Sequence, residues 1–309
     1  EAKYRTQGHL GLINGFLTDN QGTTYSPDYF ASLLLRGSIH YDSKVSYSAV
    51  RVIADFEYDI ARDSLATGEN LEGDHLPYEE GIDHRLRKAS MTLALLKKIY
   101  LIGGIAQSQW GLGLLANNGN GFWSPGSAAF ADPRGGDQVL RAMLASDRLT
   151  PAKIQLLMAF DQVLDDDELE NHDKASALST ALRFQITKKS SGGLLWRHRN
   201  QTTPSKGELD RHTLDLTLKH SLSLSPDTQM KFAMEVLAQW GQSSLPRADA
   251  PVDRIIKAYG GALETRLDRE NYGLVMDAIY ASGDKNLNDD EDSTMSLDPN
   301  LQIGLLLSP

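Results

Sequence analysis

The chain contains no cysteine among its 309 residues. Neither a disulfide bond nor a thiolate metal site is therefore possible. The absence fits a protein of the bacterial periplasm or cell surface, where the environment is oxidising. It does not by itself select a fold.

Long hydrophobic runs are missing as well. No uncharged stretch approaches the ~18 apolar residues of a membrane-spanning helix, and the mean hydropathy of the chain is −0.36. Membrane helices are therefore excluded. A membrane-spanning β-barrel is not excluded, because one side of each of its strands is polar and the hydrophobic signal per strand is weak.

Basic residues are in the minority. The 31 Lys and Arg face 41 Asp and Glu, which gives a net charge of −10. No basic stripe is present that would neutralise the phosphates of a nucleic acid, so no nucleic-acid partner is expected. The motifs G-x-S-x-G, H-E-x-x-H and the phosphate-binding P-loop are also absent. We therefore predict neither an enzyme nor a cofactor.

What the chain does contain is strict alternation of apolar and polar residues, clearest from Leu214 to Trp240. A period of two predicts strands, because successive side chains of a strand point to opposite faces. The turn Ser225-Pro226-Asp227 divides this stretch into a hairpin. The apolar positions are Leu214, Leu216, Leu218, Leu222, Leu224, Met230, Phe232, Met234, Val236, Ala238 and Trp240.

The arms of this hairpin are longer than an ordinary soluble strand and match the ~9–11 residues that cross a bilayer. Inside hydrocarbon every backbone N–H and C=O group needs a partner, so a spanning sheet has to close into a barrel. The alternative is a half-buried hairpin of a soluble sandwich or a β-solenoid.

The same rhythm continues along the whole chain. We predict about fourteen strands, as expected for an outer-membrane barrel with short turns on one side and long loops on the other. Tight links fall near residues 43, 97, 148, 190, 226 and 269, and longer links near 24, 72, 123, 169, 204, 247 and 291. Greek-key sandwiches mix connection lengths, so this sorting favours the barrel.

The predicted fold class is therefore all-β: a transmembrane, antiparallel, up-and-down barrel of about 14–18 strands at closure. Residues 1–309 are interpreted as one barrel domain. We expect a first strand over His9–Thr18, a long loop over Ala61–Asp83 and a last strand over Leu301–Ser308. Because the chain begins at Glu1 and ends without a terminal aromatic residue, we expect a processed or truncated protein.

Two segments resemble those of a known group. The segment QWGLGLLANNG around Trp110 is followed by a glycine-rich loop, and Ala278–Leu306 contains YASGD, NLNDDED and DPNLQIGLL. Together these roughly forty residues resemble outer-membrane barrels of the alginate-export and related porin-like families. The resemblance implies a passive channel in the outer membrane of Gram-negative bacteria, with anionic or neutral solutes among those transported.

If the apolar parity faces lipid, charged residues of the opposite parity line the pore. Rings of charge of this kind set ion selectivity. The alternative for each residue is an ion pair between neighbouring strands, which fills the interior without binding a solute. The predicted pore-lining residues are Arg36, Arg51, Asp55, Glu57, Arg183, Arg197, Arg199, Asp215, Lys219, Lys231, Glu235 and Asp277.

The glycine-rich segment Trp110–Asp137 is the candidate constriction loop, folded inward to narrow the pore. Its alternative is an exposed surface loop. The residues that we expect to form the constriction are Trp110, Gly111, Gly113, Asn117, Asn118 and Gly119.

The acidic segment Gly283–Pro299 provides a weaker candidate for divalent-cation binding. It is not an EF-hand, because Asp289 stands where glycine is required and Met295 where the bidentate glutamate is required. No dedicated metal site is therefore predicted, and a solvated acidic loop is the alternative. The oxygen donors are Asp284, Asn286, Asn288, Asp290 and Asp292.

Three functions remain as hypotheses. The first is a porin-like passive channel for small hydrophilic solutes or ions. The second is a structural or docking barrel that houses or anchors a partner or plug protein. The third is a barrel enzyme such as a lipid hydrolase. All three place the chain in the bacterial outer membrane, in contact with lipid and lipopolysaccharide, as a monomer or a homo-oligomer.

Overall fold

In the computed structural model the regular elements of the described residues are all β-strands. None of these residues forms a helix long and apolar enough to cross a membrane. The structure describes residues 2–12, 17–18, 24–43, 50–70, 82–96, 98–118, 129–130, 136–149, 153–166, 168–169, 172–245, 253–269, 272–286, 289–298 and 301–302.

Most strands are long, as the alternation predicts. The strands of nine or more residues in these ranges are β1 (Ala2–Leu12), β3 (Thr24–Asp42), β4 (Val50–Asn70), β5 (Ile82–Leu95), β6 (Ile99–Gln107), β8 (Gln138–Ser146), β9 (Gln155–Asp165), β10 (Lys174–Thr187), β11 (Ser190–Thr202), β12 (Glu208–Ser225), β13 (Thr228–Ser243), β14 (Arg254–Arg269) and β15 (Tyr272–Ala281). Two-residue strands are β2 (Leu17–Thr18), β7 (Ala129–Phe130), β16 (Glu291–Asp292) and β17 (Leu301–Gln302).

Backbone contacts divide the chain into two compact units. The first comprises Glu1–Asp42 and Ile53–Ala89, where β1 pairs with β3 and β3 with β4, both antiparallel. The second comprises Ser43–Val52 and Ser90–Pro309, where β6 and β8 to β15 follow one another in sequence order, each antiparallel to the next. The predicted all-β, up-and-down antiparallel class is confirmed. The prediction of a single barrel domain stays a prediction.

Two predicted strand boundaries are wrong. The first strand is Ala2–Leu12 and not His9–Thr18, because its eleven residues all pair with β3. The second error lies at the predicted loop Ala61–Asp83, since β4 continues to Asn70. Its partner β3 begins at Thr24, and antiparallel pairing satisfies backbone groups for as long as both strands continue. Of the predicted last strand, only Leu301–Gln302 lies within the described residues.

The two sides of the sheet in the second unit have opposite character. Along β12, Leu214, Leu216 and Leu218 are 41%, 36% and 37% exposed, whereas the intervening Asp215 is 0% exposed. Strand β13 repeats the pattern, with Val236 exposed and Glu235 buried. We call the side that carries Asp215 and Glu235 the polar face, and the side that carries the leucines the apolar face.

The first unit follows the same rule. Leu35, Ile39 and Tyr41 of β3 are exposed, while Arg36, between Leu35 and Ile39 in the strand, is buried against Asp59 of β4. Water-soluble proteins bury large aliphatic side chains and leave charges at the surface. Both units invert that rule over long strands.

Candidate functional site

Residues 109–118, between β6 and β8, form a compact loop on the polar face, which we call the inner loop. The Trp110 N–H donates to the Ala116 carbonyl at 3.1 Å, and the Asn118 N–H donates to Gln109 Oε1 at 3.1 Å. The neck of the loop is held by a bond of 3.0 Å from the Asp137 N–H to the Asn117 carbonyl. The backbone of the inner loop is therefore closed upon itself.

Trp110 attaches the inner loop to the strands. Its indole N–H donates to Asp215 Oδ1 of β12 at 3.1 Å, and the Arg183 guanidinium of β10 lies 5.2 Å from its ring centroid. Gly193 of β11 leaves room for the ring, since a Cβ there would come within 2.7 Å of the indole. The buried indole of Trp110 therefore contacts three neighbouring strands, β10, β11 and β12.

Glu235 of β13 anchors the backbone of the same loop. Its Oε2 accepts the N–H groups of Leu112 and Gly113, the latter at 3.2 Å. Gly111 has a φ of 57°, and a Cβ at this position would collide with the Glu235 carboxylate. The glycine is therefore required both for the turn and for the close approach of the carboxylate.

A small apolar cluster also holds the inner loop on the polar face. Leu114 is 1% exposed and packs with Leu237, Ala258 and Met295. Leu237 and Ala258 lie on the polar face, where they interrupt the polar parity of β13 and β14. The Leu114 carbonyl also accepts the Asp298 N–H at 3.1 Å, so the segment after β15 covers this part of the polar face together with the inner loop.

A third segment, between β9 and β10, is fixed to the polar face by ion pairs. Arg211 of β12 donates to both carboxylate oxygens of Glu168, at 2.8 and 2.5 Å. Arg199 of β11 forms an ion pair with Asp166. Burial by itself raises the pKa of Glu168, but the positive charges of Arg211 and Arg199 outweigh it and lower the pKa to about 2.

Beside Trp110, on the side of the tight turns, the polar face carries a half-open cavity of about 440 Å³. Among its described lining residues are four cations and no carboxylate. The Lys219 ammonium bonds the Gly111 carbonyl at 3.4 Å, so the cavity and the inner loop share a wall. The four cations are Arg148, Lys153, Arg183 and Lys219.

The predicted pore-lining residues of the second unit occupy distinct environments. Arg197, Arg199, Asp215 and Glu235 are buried on the polar face, where the last three hold loop segments. Arg183 and Lys219 line the cavity. Lys231 forms an ion pair with Asp268 at 3.0 Å, and Asp277 is exposed on β15.

The predicted pore-lining residues of the first unit mostly form ion pairs between strands. Arg36 binds Asp59 through two bonds of 2.7 Å, and Glu57 accepts a bond of 2.9 Å from the buried Arg87. Asp55 lies 2.7 Å from His40 and 3.1 Å from Lys88. Arg51 is exposed. The alternative of cross-strand ion pairs therefore describes the geometry of Arg36 and Glu57. A pore-lining role for any of these residues stays a prediction.

Of the predicted constriction, Trp110, Gly111, Gly113, Asn117 and Asn118 belong to the inner loop, whereas Gly119 lies outside the described residues. The sequence signal was the density of glycine. It did not reveal the anchors Asp215 and Glu235, nor Arg211 and Glu168, because their partners are distant along the chain.

The acidic segment after β15 uses several of its carboxylates to stabilise turns. Asp284 Oδ1 accepts the Asn286 N–H at 3.0 Å, and Asp292 Oδ1 accepts the Thr294 N–H at 3.2 Å. Asp292 also lies 3.8 Å from Arg254 of β14. Asn288 is outside the described residues, and cation binding by this segment stays a prediction.

Comparisons with known proteins give the following. No family model and no curated protein matches the sequence. Among solved structures, OmpF of Salmonella typhi in complex with daunomycin is 10% identical, covering 92% of this chain and 90% of that one, with a TM-score of 0.39. Two structures of OmpT, an outer membrane protein of Vibrio cholerae, are each 7% identical to this chain, with TM-scores of 0.39. Each alignment covers 96% of this chain, and the two cover 92% and 94% of the OmpT chains.

Proposed function

We propose that this chain is a bacterial outer-membrane β-barrel that acts as a porin-like passive channel for small hydrophilic solutes or ions. The observation that carries the proposal is the inverted distribution of side chains: Leu214, Leu216 and Leu218 are exposed while Asp215 is buried. Exposing leucine side chains to water costs free energy, whereas contact with lipid acyl chains does not. The apolar face therefore contacts membrane lipid and lipopolysaccharide, and the polar face surrounds the pore.

Position along the strands supports this assignment. On the apolar face, Trp240 and Tyr259 lie near the ends of β13 and β14 that join longer links, and Tyr272 lies beside the tight turn between β14 and β15. Trp and Tyr favour the two interfaces of a bilayer, because their rings are apolar and their polar atoms remain in contact with water. The aliphatic residues lie between these levels.

The inner loop narrows the pore in this proposal. It is attached to β12 through Trp110 and to β13 through Glu235, so it occupies space above the polar face and does not extend away from it. The cavity next to it is lined by four cations. Positive charges that line a pore lower the energy of an anion inside it, so anions are the preferred solutes.

Reconstitution tests the proposal. The detergent-purified chain is added to a planar lipid bilayer, and we expect discrete conductance steps. Gel migration that changes on heating and sedimentation with outer membranes are expected alongside. A chain that stays monodisperse in buffer without detergent would contradict the membrane assignment.

A docking barrel is the second candidate, and one observation favours it. The inner loop, Glu168 and Met295 belong to three separate segments that all cover the polar face of the second unit. Three segments that cover the polar face are what we expect of a barrel whose interior is filled and not open. This candidate predicts membrane insertion without conductance steps, together with a co-purifying subunit. Release of fatty acid from phospholipid vesicles would instead indicate the lipid-hydrolase alternative.

A further inference from the structure

Two histidines and one aspartate lie close together on the apolar face, near the C-terminal end of β11 and the N-terminal end of β12. His198 and His212 are direct partners in the register of these strands, and Asp210 precedes His212 by two residues, which places it on the same face. One ligand atom of each residue lies within 4.8 Å of the others. It is the one such cluster in the described part of the chain.

The three ligand atoms are Nε2 of both histidines and Oδ1 of the aspartate. Asp210 Oδ1 lies 3.0 Å from His198 Nε2 and 3.7 Å from His212 Nε2. In a tetrahedral zinc site with bonds of ~2.0–2.1 Å, ligand atoms are about 3.4 Å apart. The two separations from the aspartate bracket that value, and the two imidazole nitrogens lie within 4.8 Å of each other. A metal ion therefore fits once the imidazole rings rotate to direct both nitrogens at it.

The imidazole rings are partly restricted by their neighbours. The rings of His198 and His212 stack with centroids 4.3 Å apart. His212 also lies between the indoles of Trp196 and Trp240, at 5.8 and 5.6 Å. Ordering a free side chain on binding opposes affinity, and the contacts with two indoles already restrict the rotamers of His212.

We propose that His198, Asp210 and His212 bind one divalent transition-metal ion of the Zn²⁺ or Cu²⁺ class. Two imidazole nitrogens and a carboxylate suit these ions, whereas Ca²⁺ and Mg²⁺ take oxygen ligands. The side chains are 25%, 59% and 31% exposed. His212 is the register partner of Trp240, which the proposed function places at the bilayer interface, so an ion reaches the site from water and a fourth position remains for a water molecule. The site lies on the opposite face from the inner loop and does not depend on channel function.

The test uses the full-length chain in detergent, purified without a polyhistidine tag. Zn²⁺ is titrated by calorimetry, and Cu²⁺ is titrated while tryptophan fluorescence is recorded, since Trp196 and Trp240 contact the histidines. We expect one saturable site per chain and quenching by Cu²⁺. Replacing both histidines by alanine should lower the affinity at least about tenfold.

His220→Ala is the matched control. His220 lies on the apolar face of the same strand, where its Nδ1 is 2.8 Å from Ser190 Oγ, and its removal should leave the affinity unchanged. Asp210→Asn keeps the side-chain size and should also weaken binding, which gives a second result if the double variant does not fold. Binding of wild-type affinity in either variant, or no saturable binding up to about 1 mM, would overturn the proposal.

Discussion

At the scale of the residue, buried carboxylates of the polar face act as anchors for loops. Asp215 accepts the indole N–H of Trp110, and Glu235 accepts two backbone N–H groups of the inner loop. In the proposed channel, a carboxylate that holds a loop affects the pore through the position of that loop. Substitutions can therefore distinguish the role of Asp215 and Glu235 as anchors from the role of charges that face the cavity, such as Lys219.

Glu235→Ala should release the inner loop. Leaving the N–H groups of Leu112 and Gly113 without their acceptor costs about 1–3 kcal/mol, so their amide hydrogens should exchange about 5–150 times faster. Hydrogen exchange with mass spectrometry measures this, and conductance should rise as the loop leaves the pore. Glu235→Gln, which retains one acceptor oxygen, should restore part of the protection.

Asp277→Asn serves as the control for this substitution, because it removes a carboxylate from β15 and not from β13. It should leave exchange in the inner loop unchanged. Equal protection of the Leu112 and Gly113 amides in Glu235→Ala and in the unchanged protein would show that the anchor is dispensable.

The segment that carries Glu168 should be sensitive to acid. Because its pKa in the folded chain is about 2 and its ordinary pKa is 4.5, its ion pairs stabilise the fold above pH 4.5. That stability is lost as the pH falls from 4.5 through 2. Allowing for partial exposure to water, the expected loss is about 1–2 kcal/mol.

Thermal unfolding between pH 5 and pH 2 measures this dependence. Glu168→Gln should reduce the slope of stability against pH in this range, because the amide does not titrate. Asp147→Asn, in the turn between β8 and β9, is the control and should retain the slope. An identical slope in Glu168→Gln would contradict the assignment.

At the scale of the element, the proposed function gives each strand one side toward lipid and one side toward a polar interior. Leu216, in the apolar series of β12, has Leu194 and Val236 as its neighbours on the adjoining strands. Leu216→Arg should therefore destabilise the folded protein in a bilayer by roughly 2–4 kcal/mol. Urea unfolding in lipid vesicles measures the change.

Ser221→Arg places the same side chain on the opposite parity of the same strand. It should cost much less, because the polar face tolerates charge. If both substitutions had the same small effect, Leu216 would not face hydrocarbon.

Register between elements is what creates the proposed metal site. The sequence shows that Asp210 and His212 share a face, since they are two residues apart in an alternating strand. It does not show that His198 is their neighbour, because this depends on where the chain turns between β11 and β12. The structure pairs Thr202 with Glu208, and His198 then falls opposite His212.

At the scale of the whole molecule, the distribution of charge decides which solutes pass through the proposed channel. The net charge of −10 suggests repulsion of anions, but the cavity beside the inner loop is lined by cations. Local charge in a narrow, low-dielectric passage outweighs the screened charge of the distant surface. We therefore expect the channel to prefer chloride over potassium.

Reversal potentials in a potassium chloride gradient measure this preference. The double variant Arg183→Glu and Lys153→Glu should shift the reversal potential toward cation selectivity. Lys257→Glu is the control, because Lys257 is exposed and paired with Glu291 away from the cavity. A reversal potential unaffected by the double variant would place the selective passage elsewhere.

The sequence alone determined the strand class and which residues share a face, because both follow from a period of two within a continuous chain. It also singled out Trp110, Gly111 and Gly113 by their composition as parts of one loop, which the structure attaches to the polar face; its role as a constriction stays a prediction. Only the tertiary structure decided where strands end, which charges form pairs and where the loop is seated. Those features depend on partners that lie far apart along the chain. Arg36 and Asp59 meet through strand register, and Trp110 and Asp215 meet where the inner loop packs on β12.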